Sequence, residues 1–166
     1  TYDASGKVIS EAPEEQVAAV DRAQLAAAMH AFEGTFEQQP PPYSAKKIQG
    51  VKYYELARRG EEVPQDTKEV TVYEFVPLGE LVDGQIRFRL GCSSGTYART
   101  LAHDVGIRLG SGGHLSALRR LKIGPFAVEQ ALTIAALEQR VTAGEDAGAA
   151  WVPFDQIPLP FGEVTA

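Results

Sequence analysis

Cysteine is nearly absent from this chain of 166 residues: there is one, Cys92. An intrachain disulfide is therefore excluded, and so is a structural zinc site built on a cysteine cluster. Cys92 reads instead as a small buried apolar residue. Also lacking is any apolar run long enough to cross a bilayer as a helix, and the opening TYDASGKVIS has neither the basic region nor the apolar core of a signal peptide. The expected compartment is the cytoplasm, with no membrane partner. No residue type dominates any stretch and no internal repeat occurs, which sets aside fibrous and low-complexity architectures. What remains is a chain long enough for one domain with a real core and too short for two comfortable ones.

Positive charge is also scarce overall, the formal net charge being −6. Spread evenly, that balance would argue against a nucleic-acid partner, because phosphate binding needs clustered Lys and Arg. The cations are clustered. Between Gln38 and Gly60 stand Lys46, Lys47, Lys52, Arg58 and Arg59 against Glu55 alone, and between Tyr97 and Gly124 stand Arg99, Arg108, Arg119, Arg120 and Lys122 against Asp104. An acidic body with two basic segments suits a protein that holds a polyanion in one place and repels it elsewhere. Two ordinary solvated faces are the plainer alternative.

Local patterns place these segments. Lys7 to Ser10 reads as extended after a turn at Asp3-Ala4-Ser5-Gly6. Asp21, with Gln24 three residues on, forms a capping-box pattern ahead of Leu25, Ala28, Met29 and Phe32 on one helical face, with Gly34 expected to close that helix. The run FEQQPPPY from Phe36 cannot lie inside a helix, because consecutive prolines supply no N–H donors; it is a loop or an edge segment. Tyr53 to Arg59 is a short helix candidate closed by Gly60. Val70 to Val76 and Gln85 to Leu90 read as strands joined by a hairpin signal at Asp83-Gly84. Leu101, Val105 and Leu109 define a helix within Thr96 to Leu109 in which Gly106 is a weak spot, Leu118 to Ile123 suits either strand or helix, and Thr133 opens a last short helix. The tail from Gly144 has no clear period.

The densest group of functional residue types is CSSGTYARTL, Cys92 to Leu101, where a strand end, a glycine turn and a helix start bring N–H donors and an arginine together. Anion recognition is one use of such a group. An ordinary core tyrosine at 97 and a surface arginine at 99 are the other. Upstream, QPPPYSAKK from Gln39, then Gly50, then YELARRG from Tyr54, resembles the TruB family's PPxYSAxK run followed by a glycine and YxxAR, in the same order and spacing. Downstream, GTYARTLAHDVGIRLGSGGHLSALRRLKIGPF resembles the same family's GTYIRxL core, its aspartate two residues before a glycine, its small-residue turn with histidine, and its LRR. The resemblance runs from about Thr1 to Phe154. Ala98 stands where a larger aliphatic residue is usual, Lys46-Lys47 replaces an aliphatic-lysine pair, and Ser111 replaces a frequent cysteine.

TruB pseudouridine synthases isomerise the T-loop uridine of tRNA without a metal or organic cofactor. In that chemistry an aspartate begins as nucleophile, the glycosidic bond breaks, the uracil turns in its pocket, and carbon five rejoins the ribose. The base must first leave its stack, which costs a few kcal/mol that protein contacts must offset. The resemblance implies that Tyr97 faces the flipped base and assists proton removal from carbon five, that Arg99 keeps the aspartate ionised and oriented, and that Leu118 packs the pocket floor. A buried carboxylate without a cation becomes protonated, and a guanidinium fork prevents this while setting geometry. For Leu118 a plain core position is the alternative. Tyr43, Lys46, Lys47, Lys52, Tyr54 and Arg58 fall in the family's RNA-gripping insertion, expected over 34–64, and Arg119 and Arg120 are candidates for phosphate contact. His103 and His114 have no second metal ligand at useful spacing and read as structural or supporting.

The resemblance further implies an α+β fold with a mixed, largely antiparallel sheet flanked by helices, with the partial catalytic domain over 1–143 and a tail or linker over 144–166. The family's GxLDPxAxG segment, which carries the nucleophile, does not occur between Thr1 and Ala166. Asp3 lies past the corresponding point, and Asp104, five residues after Arg99, suits an intrahelical role better than attack on a sugar. The expected partners are therefore the tRNA T arm and an aspartate-bearing upstream half of the same protein, without which the chain is expected to be inactive. An RNA-binding module with no catalysis of its own is the second reading. A protein-interaction domain offering its Pro-rich loop as ligand is the third.

Overall fold

The computed structural model of this chain describes residues 10–41, 47–48, 51–52, 67–145, 148, 151–153 and 157. Along it run α1 (Glu14–Ala18), α2 (Arg22–His30), β1 (Gly34–Gln38), β2 (Lys47–Ile48), β3 (Val51–Lys52), β4 (Lys68–Val82), β5 (Gln85–Cys92), α3 (Ala98–Leu109), β6 (Lys122–Ile123), β7 (Phe126–Ala127) and α4 (Ile134–Thr142). They fall into two units, Thr1–Ala117 and Leu118–Ala166. The boundary expected at 143/144 lies inside the second unit, while the strand near Lys7 and the helix over 53–59 lie outside the described residues.

The first unit is built on the Asp83-Gly84 turn. Both residues take positive φ, 50° and 69°. That turn matches the right-handed twist of the strands it joins, and Asp-Gly adopts it at little cost. β4 and β5 are thereby antiparallel neighbours, and β1 pairs on the other side of β4, giving the order β1-β4-β5. Helices and an antiparallel sheet agree with the expected α+β class. Both strands run longer than their apolar cores predicted, because β4 pairs with β1 over Lys68–Val72 and then with β5 from Val72 to Val82.

Strict alternation along β4 would place Val72 and Phe75 on opposite faces, since they are an odd number of residues apart. A β-bulge resolves the conflict. Val72 pairs with Cys92 and Glu74 with Gly91, so Tyr73 is the extra residue, exposed, and Val70, Val72 and Phe75 are all buried. These join Leu25, Ala28 and Met29 of α2 and Leu101 and Val105 of α3 in the core, with Phe88 meeting the Phe75 ring edge-on at 5.2 Å. Burying a side chain such as Phe75 contributes about 1.5–3 kcal/mol.

Helix α2 starts as its sequence requires. The Asp21 side chain accepts from the Gln24 N–H at 2.7 Å, and the Gln24 side chain accepts from the Asp21 N–H at 3.1 Å. The helix does not end on Gly34. It stops at His30, Ala31 to Glu33 intervene, and Gly34, with φ 110°, opens β1 opposite Val72. Past that end of β1, the Phe75 N–H donates to the Glu33 carboxylate at 2.9 Å, which supplies the acceptor β1 no longer provides.

Gly106 is a site of close packing. A Cβ there would lie 2.2 Å from the Gly112 backbone, and one on Gly113 would lie 2.6 Å from the Ala102 carbonyl oxygen, so both glycines let the chain after α3 fold back against it. Gly110, left-handed at φ 73°, ends α3.

In the second unit, the stretch Leu118 to Ile123 is regular only at Lys122–Ile123, which pairs with Phe126–Ala127. Thr133 caps α4, its hydroxyl accepting from the Ala136 N–H at 3.1 Å.

Candidate active site

The turn between β5 and α3 carries Tyr97 and Arg99, and four interactions hold it. Ser93 continues the β-ladder past Cys92: its N–H donates to the Thr71 carbonyl, and its hydroxyl accepts from the Thr71 N–H, both at 2.8 Å. The Thr96 hydroxyl donates back to the Ser93 carbonyl at 3.0 Å, closing the turn over Gly95, whose φ of 88° suits glycine. Lys68 lies across that glycine, its ammonium donating to the Ser94 carbonyl at 3.3 Å.

The fourth interaction is a pair of bonds from one side chain. Gln38, the last residue of β1 and 2 % exposed, accepts from the Tyr97 N–H at 2.7 Å and donates to the Tyr97 carbonyl at 3.2 Å. Tyr97 is the N-cap residue of α3 and makes no capping bond with its own side chain. Its carbonyl also receives the helix's first N–H groups, from Thr100 and Leu101. Gln38 thus satisfies the amide at a helix start as a capping-box glutamine does, from a strand distant in sequence. The buried Thr100 hydroxyl reaches the Gln39 carbonyl at 3.5 Å. Pro40, Lys68, Gly95 and Tyr97 line a pocket of about 250 Å³.

Tyr97 and Arg99 are both half-buried, two residues apart at the start of α3, and Tyr97 lines this pocket. Leu118 is 64 % exposed and, with the exposed Arg119 and Arg120, belongs to the second unit. Of the insertion residues, Tyr43, Lys46, Tyr54 and Arg58 lie outside the described residues. Lys47 and Lys52 occupy directly paired positions in the antiparallel β2–β3 pair. His103 Nδ1 lies 3.0 Å from the Asp104 carboxylate, and His114 is exposed. Among the described residues no group of three His, Cys, Asp or Glu side chains could hold a metal ion, and no helix is long and apolar enough to cross a membrane.

Two residues of this site were not singled out from sequence. For Gln38 a signal existed. Phe36 is an inward position of β1, so alternation places Gln38 inward as well, and an uncharged polar residue there needs partners. For Lys68, an isolated lysine beside Glu69, there was none.

Comparison with known proteins agrees with this arrangement of motif and fold. Residues 1–98 match the family model described as TruB family pseudouridylate synthase (N terminal domain), and residues 99–158 match the tRNA pseudouridylate synthase B C-terminal domain. The chain belongs to the TruB family of pseudouridylate synthases. Among its relatives are proteins named tRNA pseudouridine synthase B. That of Streptococcus thermophilus (strain CNRZ 1066) is 41% identical over 99% of this chain and 57% of its own length. That of Aromatoleum aromaticum is 48% identical over 83% of this chain and 43% of its own. A chain in the crystal structure of a Cbf5-Nop10-Gar1 complex superposes with a TM-score of 0.56 at 28% identity, covering 87% of this chain and 37% of that one. This chain thus spans about half the length of the curated relatives it matches.

Proposed function

We propose that this chain provides the base-facing tyrosine, the carboxylate-holding arginine and the RNA grip of a tRNA pseudouridine synthase acting on the T-loop uridine. The nucleophilic aspartate comes from outside residues 1–166. The observation that carries the reading is the β5–α3 turn, where Tyr97 and Arg99 are presented together at a helix start and the Tyr97 backbone is held by a buried side chain. A flipped uracil needs a flat aromatic surface and a wall. Tyr97 supplies the first, and Pro40 and Gly95 line the space beside it. Arg99, in the first turn of α3, carries a planar guanidinium, the group suited to pairing with a carboxylate through two parallel hydrogen bonds.

The insertion adds support from its register. That register brings two lysines of the basic segment to directly paired backbone positions, as suits a segment that meets a polyanion. Leu118, Arg119 and Arg120 are assigned the pocket floor and phosphate contacts on the family resemblance. No catalytic metal or organic cofactor enters the reading.

Tritium release from T-arm RNA labelled at carbon five of uridine tests it, since the label leaves only on isomerisation. The chain alone should release none, and adding a TruB upstream half that carries the GxLDPxAxG aspartate should start release. Release by the chain alone would sink the assignment of the nucleophile and direct attention to Asp104. T-arm binding without release in either case would leave the non-catalytic RNA-binding module.

A further inference from the structure

Gln38 is 2 % exposed, and both hydrogen bonds of its amide go to one residue, Tyr97. Within an edge strand, at a position that alternation turns inward, an apolar side chain would fill the space without needing partners. A buried primary amide needs polar partners, and its oxygen and one of its N–H groups find them in the N–H and the carbonyl of Tyr97. The pairing copies one rung of an antiparallel ladder, with a side chain in place of a strand. It clamps the backbone on both sides of the Tyr97 Cα and so fixes the point from which the phenol projects.

The same residue closes β1 and leads directly into buried Pro40 and Pro41, the entrance to the basic insertion. Proline cannot donate to a ladder, so the strand pairing ends there and the Gln38 side chain becomes the next tie between this segment and the site. The Thr100 hydroxyl on the Gln39 carbonyl repeats the tie one residue on. Gln38 and Gln39 are thereby joined to the start of α3 by hydrogen bonds.

We infer that Gln38 is a positioning residue for the isomerisation: it sets the place of Tyr97 and, through the first turn of α3, of Arg99, and it links the base of the RNA-gripping insertion to the reacting centre. The inference rests on the reading of Tyr97 and Arg99 given above. It assigns Gln38 no contact with the uridine.

The test uses the chain recombined with an aspartate-bearing upstream half, and compares Q38M, Q38E and T35V. Methionine keeps the volume of Gln38 and removes both hydrogen bonds. Glutamate keeps the acceptor for the Tyr97 N–H and loses the donor to its carbonyl. T35V removes the Thr35–Thr71 hydroxyl contact of the same strand and is the control for lost stability alone. For Q38M, kcat should fall roughly tenfold to a hundredfold with KM and T-arm Kd within about twofold of the parent, because displacing a reacting group by about 1 Å costs on that order. Q38E should fall between Q38M and the parent, and T35V should keep the parental kcat. Q38M with parental kcat and only a lower melting temperature would overturn the inference while leaving the reading of the site intact. Full activity of Y97F and R99L would overturn both.

Discussion

The two units of this chain have similar kinds of sequence and very different burial. In Thr1–Ala117, Leu25, Met29, Val70, Val72, Phe75, Leu101 and Val105 are all buried, around a strand paired on both sides. In Leu118–Ala166 no described residue is buried, and Leu118, Ile123, Ile134 and Val141 are each more than half exposed. An amphipathic pattern states which face of an element can be buried. Whether that face is covered depends on a neighbour that the pattern does not contain. Tyr97 and Arg99, the residues proposed for the site, stand on the well-packed side of this divide, and a site that must hold reacting groups to fractions of an ångström needs such support.

The comparison can be broken most directly at Phe75 and Ile134. F75A should cost about 3–5 kcal/mol by chemical denaturation, whereas I134A, at an exposed position, should stay within about 0.5 kcal/mol of the parent. Equal effects would mean that the second unit has a core of its own comparable to the first. Next in size is G106A. Alanine favours helix over glycine by about 1 kcal/mol, yet its methyl would meet the Gly112 backbone, so the variant should be less stable by about 1–3 kcal/mol. A gain in melting temperature would show that the segment after α3 does not hold its place.

The helix caps sharpen the contrast further. D21A and T133A each remove one capping oxygen and should each cost about 1 kcal/mol locally. The cost should appear in the global stability for D21A, whose helix is in the core, and only as faster amide hydrogen exchange within α4 for T133A. The smallest expected effect is electrostatic. Arg89 donates to both oxygens of Glu74, and these hydrogen bonds hold its carboxyl below the ordinary value, with Coulomb attraction adding and desolvation opposing. A lowered carboxyl stabilises the fold above its unfolded-state value, and that contribution disappears as pH falls through the folded-state value. E74Q should therefore melt slightly below the parent at pH 7 and converge with it in acid. A gap that persists unchanged to low pH would refute that account.

Several elements are legible in the sequence alone, for reasons that are local. Asp21 with Gln24 begins a helix because the two side chains satisfy each other's amides. Asp83-Gly84 makes a hairpin because those residues tolerate positive φ. Leu101, Val105 and Leu109 share a helical face because of the 3.6-residue turn. The expectation for Gly34 failed because a glycine after a helical run suits either a cap or the start of a strand, and pairing with Val72 decided it. The bulge at Tyr73 was hidden because a one-residue insertion leaves composition and propensity unchanged. Gln38 was passed over although alternation from Phe36 marks it, since an inward polar residue points to a partner without naming it.

Sequence by itself determined the family, through motifs whose order and spacing survive without coordinates, and it determined the helices and turns whose causes lie within a few residues. Only the tertiary structure decided that Gln38 meets Tyr97 across a separation of 59 residues, that Lys68 covers Gly95, and that Gly106 is a place of contact. Capping, turn preference and helical periodicity act over one or two turns of chain. Contacts between distant segments depend on how the sheet pairs and where it bulges, and no local pattern encodes those choices.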